Sequence, residues 1–145
     1  MRDAEHGEAA PKSSMLVISP LSCSLIEETQ IVYIYPDSLA YKIYGKEKAK
    51  EKFNCKFGFN ETYREDINRQ DLKIGGVDDN GNVRIVELST HRFFMAMLYL
   101  PQSCSSVGNP HPIIVEYLNA AKAFHGYKIK DKNYDLTLNK ATGLM

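Results

Sequence analysis

Phe93-Phe94-Met95-Ala96-Met97-Leu98-Tyr99-Leu100, closed by Pro101-Gln102, is the longest uninterrupted apolar run in the chain. Eight residues fall far short of the ~20 needed to cross a bilayer as a helix. The run has none of the polar breaks at 3.6-residue spacing that mark a surface helix, and turn-forming sequence flanks it. It predicts a strand buried on both faces, as at the centre of an α/β sheet. In open α/β sheets reactive groups gather outside the carboxyl ends of the strands, so Leu100-Pro101-Gln102 is where chemistry is to be sought.

A chain of 145 residues is one domain of ordinary size, able to bury a core. Its 18 basic and 18 acidic side chains cancel, so no global charge excess directs it to nucleic acid or to an anionic membrane, and neither is expected as a partner. The three cysteines, Cys23, Cys55 and Cys104, form no CxxC pair and lack metal-ligand spacing with the histidines. They read as reduced thiols in a cytoplasmic protein, with no metal and no cofactor. Residues 1–14 are small and polar, with no signal-peptide core, and are expected as a disordered tail.

Along the chain, Gln30 to Tyr35 is β-branched and aromatic and reads as a strand ended by Pro36-Asp37. Asp37 or Ser38 caps a short helix that carries Leu39, Ala40, Ile43 and Tyr44 and closes at Gly45. Lys46 to Lys52 reads as a solvated connector. Phe53, Cys55, Phe57 and Phe59 alternate with polar or small residues as in a half-buried strand. Asn60 caps a helix to about Arg69. Leu72 to Val77 and Val83 to Leu88 flank Asn80-Gly81, whose positive φ angles make a hairpin turn. After a Ser/Gly loop, Pro110-His111-Pro112 opens a helix with the apolar stripe Ile113, Ile114, Tyr117, Leu118, Ala121 and Phe124, ended by Gly126. The piece from Met15 to Ile26 suggests no element, and 127–145 reads as a loosely ordered tail.

Four pieces carry a resemblance. Asp37-Ser-Leu-Ala-Tyr-Lys-Ile-Tyr-Gly45 is similar to a Gly/Asp-Ser-Leu-x-x-x-x-Tyr segment, and Glu51 to Asn60 lies where an Arg/His-rich tract begins with Glu and ends with Asn. Val83 to Phe94, with His91, resembles a Leu-Val-Glu-Ile-Ile-Glu-x-x-x-His-Pro-Phe-Phe segment. Ala96 to Gln102, followed by His111-Pro112 to Ala121, parallels Ala-x-Gln-Phe-His-Pro-Glu, a loop, and a closing helix after His-Pro. In this order they resemble the class I glutamine amidotransferase (glutaminase) domain of CTP synthase, from about Gln30 to Phe124. The resemblance implies an α/β sheet flanked by helices, truncated on its N-terminal side, over residues 15–126.

Such domains hydrolyse glutamine with a Cys nucleophile, a His base and a Glu that orients the His. The His and Glu positions of the family's His-Pro-Glu are occupied here by Leu100 and Gln102, which can neither move a proton nor stabilise an imidazolium by charge. Cys23 lies in Leu-Ser-Cys-Ser-Leu, without the flanking glycines of a nucleophile elbow, and is a poor candidate nucleophile. Lys52 and Lys56 are the remaining cations where the family grips glutamine's carboxylate with arginine, and lysine has no guanidinium fork. His91 and His111 read as structural hydrogen-bonders, and His125 as a helix-dipole contact. The expected function is a catalytically inactive glutaminase-like domain serving as a binding or regulatory module. The alternative is a fragment or isoform of a glutamine-dependent CTP synthase-like enzyme, with glutamine hydrolysis feeding ammonia to UTP amination. A truncated sheet leaves an open edge, so a homo-oligomer or a protein partner is expected to cover it.

Overall fold

A computed structural model of the chain describes residues 3–68 and 71–124. Its backbone is organised by β2 (Leu16–Ile34). β3 (Lys48–Phe59) runs antiparallel along one edge of β2, from Tyr33 opposite Lys48 to Ile18 opposite Phe59. The other edge is shared. β1 (Glu5–His6) pairs with it in parallel near Leu16 and Ile18, and β4 (Leu72–Val77) pairs antiparallel at Tyr33 and Ile34. β5 (Val83–Leu88) and β6 (Met95–Met97) extend the sheet from β4 by antiparallel pairing. The result is a mixed sheet flanked by helices.

β2 is longer than its alternation suggests because two irregularities break its period. Leu21 to Ser24 stand opposite the single residue Lys56, next to Pro20, which has no amide to give to the ladder. Glu27 is a second bulge, with a φ of 55°.

α1 (Leu39–Tyr44) forms as its sequence predicts. Ser38 Oγ accepts from Tyr41 N, and Gly45 closes the helix in the left-handed region at φ 65°. Asn60 Oδ1 accepts from Thr62 N, starting a 3-10 turn (Glu61–Tyr63) that runs into α2 (Arg64–Asn68). α3 (Pro112–Phe124) follows the loop after β6. One core cluster lies where Val32, Ile34, Phe53, Ile85, Tyr99 and Ile113 meet; a second gathers Phe59, Ile67, Ile74, Val77 and Val83.

Four expectations are corrected. The run 93–100 is no central strand: only Met95–Met97 pairs, at the end of the sheet order, with Ala96 exposed. Its hydrophobicity serves several contacts at once. Met95 and Met97 pack on the core, Phe93 meets Tyr117, and Tyr99 meets Phe53. The stretch Lys46 to Lys52 is no connector beyond Glu47, because Lys48 to Lys52 is β3 with Ala49 and Glu51 buried. Residues 3–14, expected as disordered, hold β1 through Glu5 N to Met15 O and Gly7 N to Ile18 O, with the His6 ring 5.1 Å from Phe57. In the hairpin turn only Gly81 takes a positive φ, 79°. His125, Gly126 and the 127–145 tail lie outside the described residues.

Candidate functional site

The end of β6 is where the resemblance places proton-transfer chemistry. Leu100 is half-buried, and its amide donates to Lys52 O of β3 at 2.9 Å. Pro101 opens a 3-10 turn (Pro101–Cys104), and Gln102 is exposed on it. Gln102 lines an apolar groove of about 430 Å³ between β6 and α3, with Met95, Met97, Ile113 and Tyr117 among its walls.

The structure does not bring the other sequence candidates to this point. Cys23 is exposed in the β2 bulge opposite Lys56. Leu100 touches β3 at Lys52, four residues from Lys56, or about 13 Å along the strand. Lys52 and Lys56 are both exposed; Lys56 borders a different cleft, shared with His6 and Ile26. His91 is exposed, its Nδ1 within 2.9 Å of Phe93 O.

A second constellation is built from Tyr44, Glu51, Tyr99 and His111. Glu51 and His111 are 2% and 4% exposed. The Glu51 carboxylate accepts from Tyr44 Oη at 2.7 Å and lies 3.1 and 3.2 Å from His111 Nε2. Ile113 N donates to His111 Nδ1 at 3.3 Å, which places the ring proton on Nε2, facing Glu51. Tyr44 Oη uses its proton on Glu51, so Tyr99 Oη, 3.1 Å away, donates to it.

This set is suited to holding the fold. Both ring nitrogens of His111 are engaged, so no lone pair is free to accept a substrate proton. Burial above all raises the Tyr44 phenol beyond its ordinary range, with Tyr99 and Glu51 adding to it. Burial raises Tyr99 too, and the nearby Glu51 charge adds to it. Both therefore remain neutral donors. A cleft of about 280 Å³ opens beside the set, between Lys50, Cys104 and Asn109.

Glu87 does similar work at α1. Its Oε1 accepts from Leu39 N at 2.8 Å and its Oε2 from Ala40 N at 3.1 Å, so a buried carboxylate on β5 sits on amides that the helix cannot satisfy itself. Asp78 and Arg84 form a buried ion pair at 2.6 Å across the β4–β5 hairpin. Sequence reasoning read His111 as a structural hydrogen-bonder but missed the roles of Tyr44, Glu51 and Glu87. The available signal was that Tyr44, Glu51, Glu87 and His111 all fall inside the four resembling pieces.

The scaffold that carries these residues can be compared as a whole. The chain superposes on the glutaminase domain of Trypanosoma brucei CTPS, solved with bound acivicin, with a TM-score of 0.78 at 26% sequence identity, covering 84% of this chain and 52% of that one. A CTP synthase of Flavobacterium johnsoniae is 40% identical over 93 residues, 63% of this chain and 17% of the relative. One from Flavobacterium psychrophilum is 36% identical over 118 residues, 81% of this chain and 20% of the relative.

The chain is a relative of the CTP synthase glutaminase domain. It spans about a fifth of the length of the curated CTP synthases it matches. No family model matches it. Among the described residues, no helix is long and apolar enough to cross a membrane. Within this glutaminase-like frame, the buried Tyr44–Glu51–His111 set and the Glu87 cap join α1, β3, β5 and α3. The turn that follows Leu100 holds Gln102, exposed, with Ser103 and Cys104 beside it.

Proposed function

We propose that the chain is a glutaminase-like domain without glutaminase activity, serving as a binding or regulatory module in the cytoplasm. The observation that carries the reading is Leu100-Pro101-Gln102 at the end of β6, where the resemblance calls for His-Pro-Glu. A leucine side chain has no titratable atom, and a glutamine amide brings no charge to an imidazole. The exposed position of Cys23 away from this turn supports the same reading, and three free cysteines suit a reducing compartment. The test is ammonia release from glutamine by the purified protein beside a Cys23→Ala control. The expected result is no release above the blank in either; Cys23-dependent release would overturn the proposal.

A second reading takes the chain as one part of a glutamine-dependent CTP synthase-like enzyme. It is favoured by the span, a fifth of the matched relatives. Mixing the chain with a CTP synthase stripped of its glutaminase domain and measuring glutamine-dependent CTP formation from UTP separates the two. A gain would establish the second reading in place of the first.

A further inference from the structure

We infer that the outer edge of β3, from Lys48 to Lys52, is a docking site for an extended acidic peptide of a partner protein. It stands apart from the reading of Leu100 and Gln102, because the edge forms whether or not the domain hydrolyses glutamine.

The edge follows from the register. Glu47 O accepts from Ile34 N, so odd-numbered residues of this stretch turn their backbone groups toward β2. Even-numbered residues turn the other way, and Leu100 N donates to Lys52 O from that side. Lys48 and Lys50 therefore present their amide and carbonyl groups outward. Among the described residues, no strand pairs with them there. Such a row is a template for an added strand, and the Leu100 contact bounds it at one end.

The side chains select the peptide. From Lys48 to Phe53 burial alternates strictly: Lys48, Lys50 and Lys52 are exposed, and Ala49, Glu51 and Phe53 are buried. The three lysines thus stand on one face at steps of about 6.6 Å. Among the described residues none of the three makes an ion pair. Their cross-strand neighbours on β2 are Tyr33, Ile31 and Thr29, all uncharged. The Lys48 ammonium lies 5.0 Å from the centre of the Tyr33 ring, and Ile31 is 39% exposed. Asp79 reaches this stripe at one end, where it accepts from Tyr33 Oη at 2.6 Å.

In an antiparallel addition, the residue opposite each lysine puts its side chain on the lysine's own face, with Cβ atoms about 5 Å apart. Acids at alternate positions of the peptide therefore meet Lys48 and Lys50, and a third reaches Lys52. The residue between the first two stands opposite Ala49 and turns to the other face. A cleft of about 280 Å³ opens there, with Ala49, Cys104 and Asn109 in its walls, and takes a small side chain. A nucleic-acid backbone would meet the ammonium groups but would leave the outward amides, carbonyls and cleft unused.

Fluorescence anisotropy with a labelled, end-blocked nonapeptide of alternating aspartate and threonine, at about 0.15 M salt, tests this. The expected result is saturable binding that weakens at least ~fivefold in Lys48→Gln/Lys50→Gln/Lys52→Gln. N-methylation of the peptide's aspartate amides should weaken it at least ~tenfold, because those amides face β3. In the unaltered protein, hydrogen exchange of the Lys48 and Lys50 amides should slow when the peptide is added. No binding at ~1 mM peptide would overturn the inference. So would equal affinity for the methylated peptide or for the triple variant. Tighter binding of an oligothymidylate of the same charge would also overturn it, by assigning the lysines to a general polyanion surface. If the triple variant fails to fold, exchange decides: slowed Lys48 and Lys50 amides uphold the inference, and rates unchanged by the peptide overturn it.

Discussion

Nε2 of His111 lies 3.1 Å from Oε1 of Glu51, a residue sixty positions earlier in the chain. That contact ties the first turn of α3 to β3, and Tyr44 brings α1 to the same carboxylate. Three elements that share little sequence proximity therefore converge on one buried side chain.

Glu51→Ala should cost about 3–5 kcal/mol, because His111 Nε2 and Tyr44 Oη would be left buried without their acceptor. Glu51→Gln keeps the shape and one acceptor and should cost less. Denaturant midpoints of the two variants check the order; equal midpoints for Glu51→Ala and wild type would remove the network's structural role.

The Asp78 carboxyl sits below its ordinary range. Burial pushes it up, but hydrogen bonds from Asn82 and Arg84 outweigh that effect. A carboxyl lower in the folded state binds protons more weakly there than in the unfolded chain. Its contribution to stability is therefore complete above the ordinary value of about 4 and is lost as pH falls below it toward the folded value. Stability measured from pH 7 to pH 2.5 should fall more steeply in wild type than in Asp78→Asn, which starts lower and lacks that titration.

Gly76→Ala should destabilise by about 1–3 kcal/mol. A Cβ there would stand 2.9 Å from Tyr33 O, a backbone atom in the β2–β4 ladder, and 3.1 Å from Ile85 Cδ1. Thermal unfolding checks it, with Gly81→Ala as a comparison in which only the positive φ opposes the substitution, no atom lying within 4 Å.

Placing the family's His and Glu at positions 100 and 102 should not produce glutaminase activity. A Leu100→His/Gln102→Glu protein is expected to release no ammonia from glutamine, since the bulge holding Cys23 is about 13 Å along β3 from the Leu100 contact. Release that disappears on adding Cys23→Ala would show that the thiol reaches the turn.

Parts of the fold were legible where the deciding interaction is local. Ser38 and Gly45 cap α1 within their own turns, and Gly81 shapes the β4–β5 connection by its own φ. Legibility failed where partners are distant. Glu51 looked like one charge among lysines, and only Tyr44 and His111, seven and sixty positions away, explain its burial. The N-terminal half of β2 was hidden because Pro20 and Glu27 interrupt the alternation that marks a strand. The run at Phe93 to Leu100 misled in the opposite sense: contacts with α3, the core and Phe53 together mimic a strand covered on both faces. At the candidate site, Leu100 and Gln102 were readable by resemblance, but the engagement of both His111 ring nitrogens needed coordinates.

β2 gives one edge to β3 and divides the other between β1 and β4. The seams with β1, β3 and β4 cannot close before it is in register, which makes it the element around which the kinetic barrier to folding should form. Substitutions such as Val32→Ala, at a fully buried β2 position, should then slow refolding, whereas Met97→Ala at the sheet's end should chiefly quicken unfolding. Stopped-flow chevrons on the two variants would separate the limbs, and a Val32→Ala effect confined to the unfolding limb would place the nucleus elsewhere.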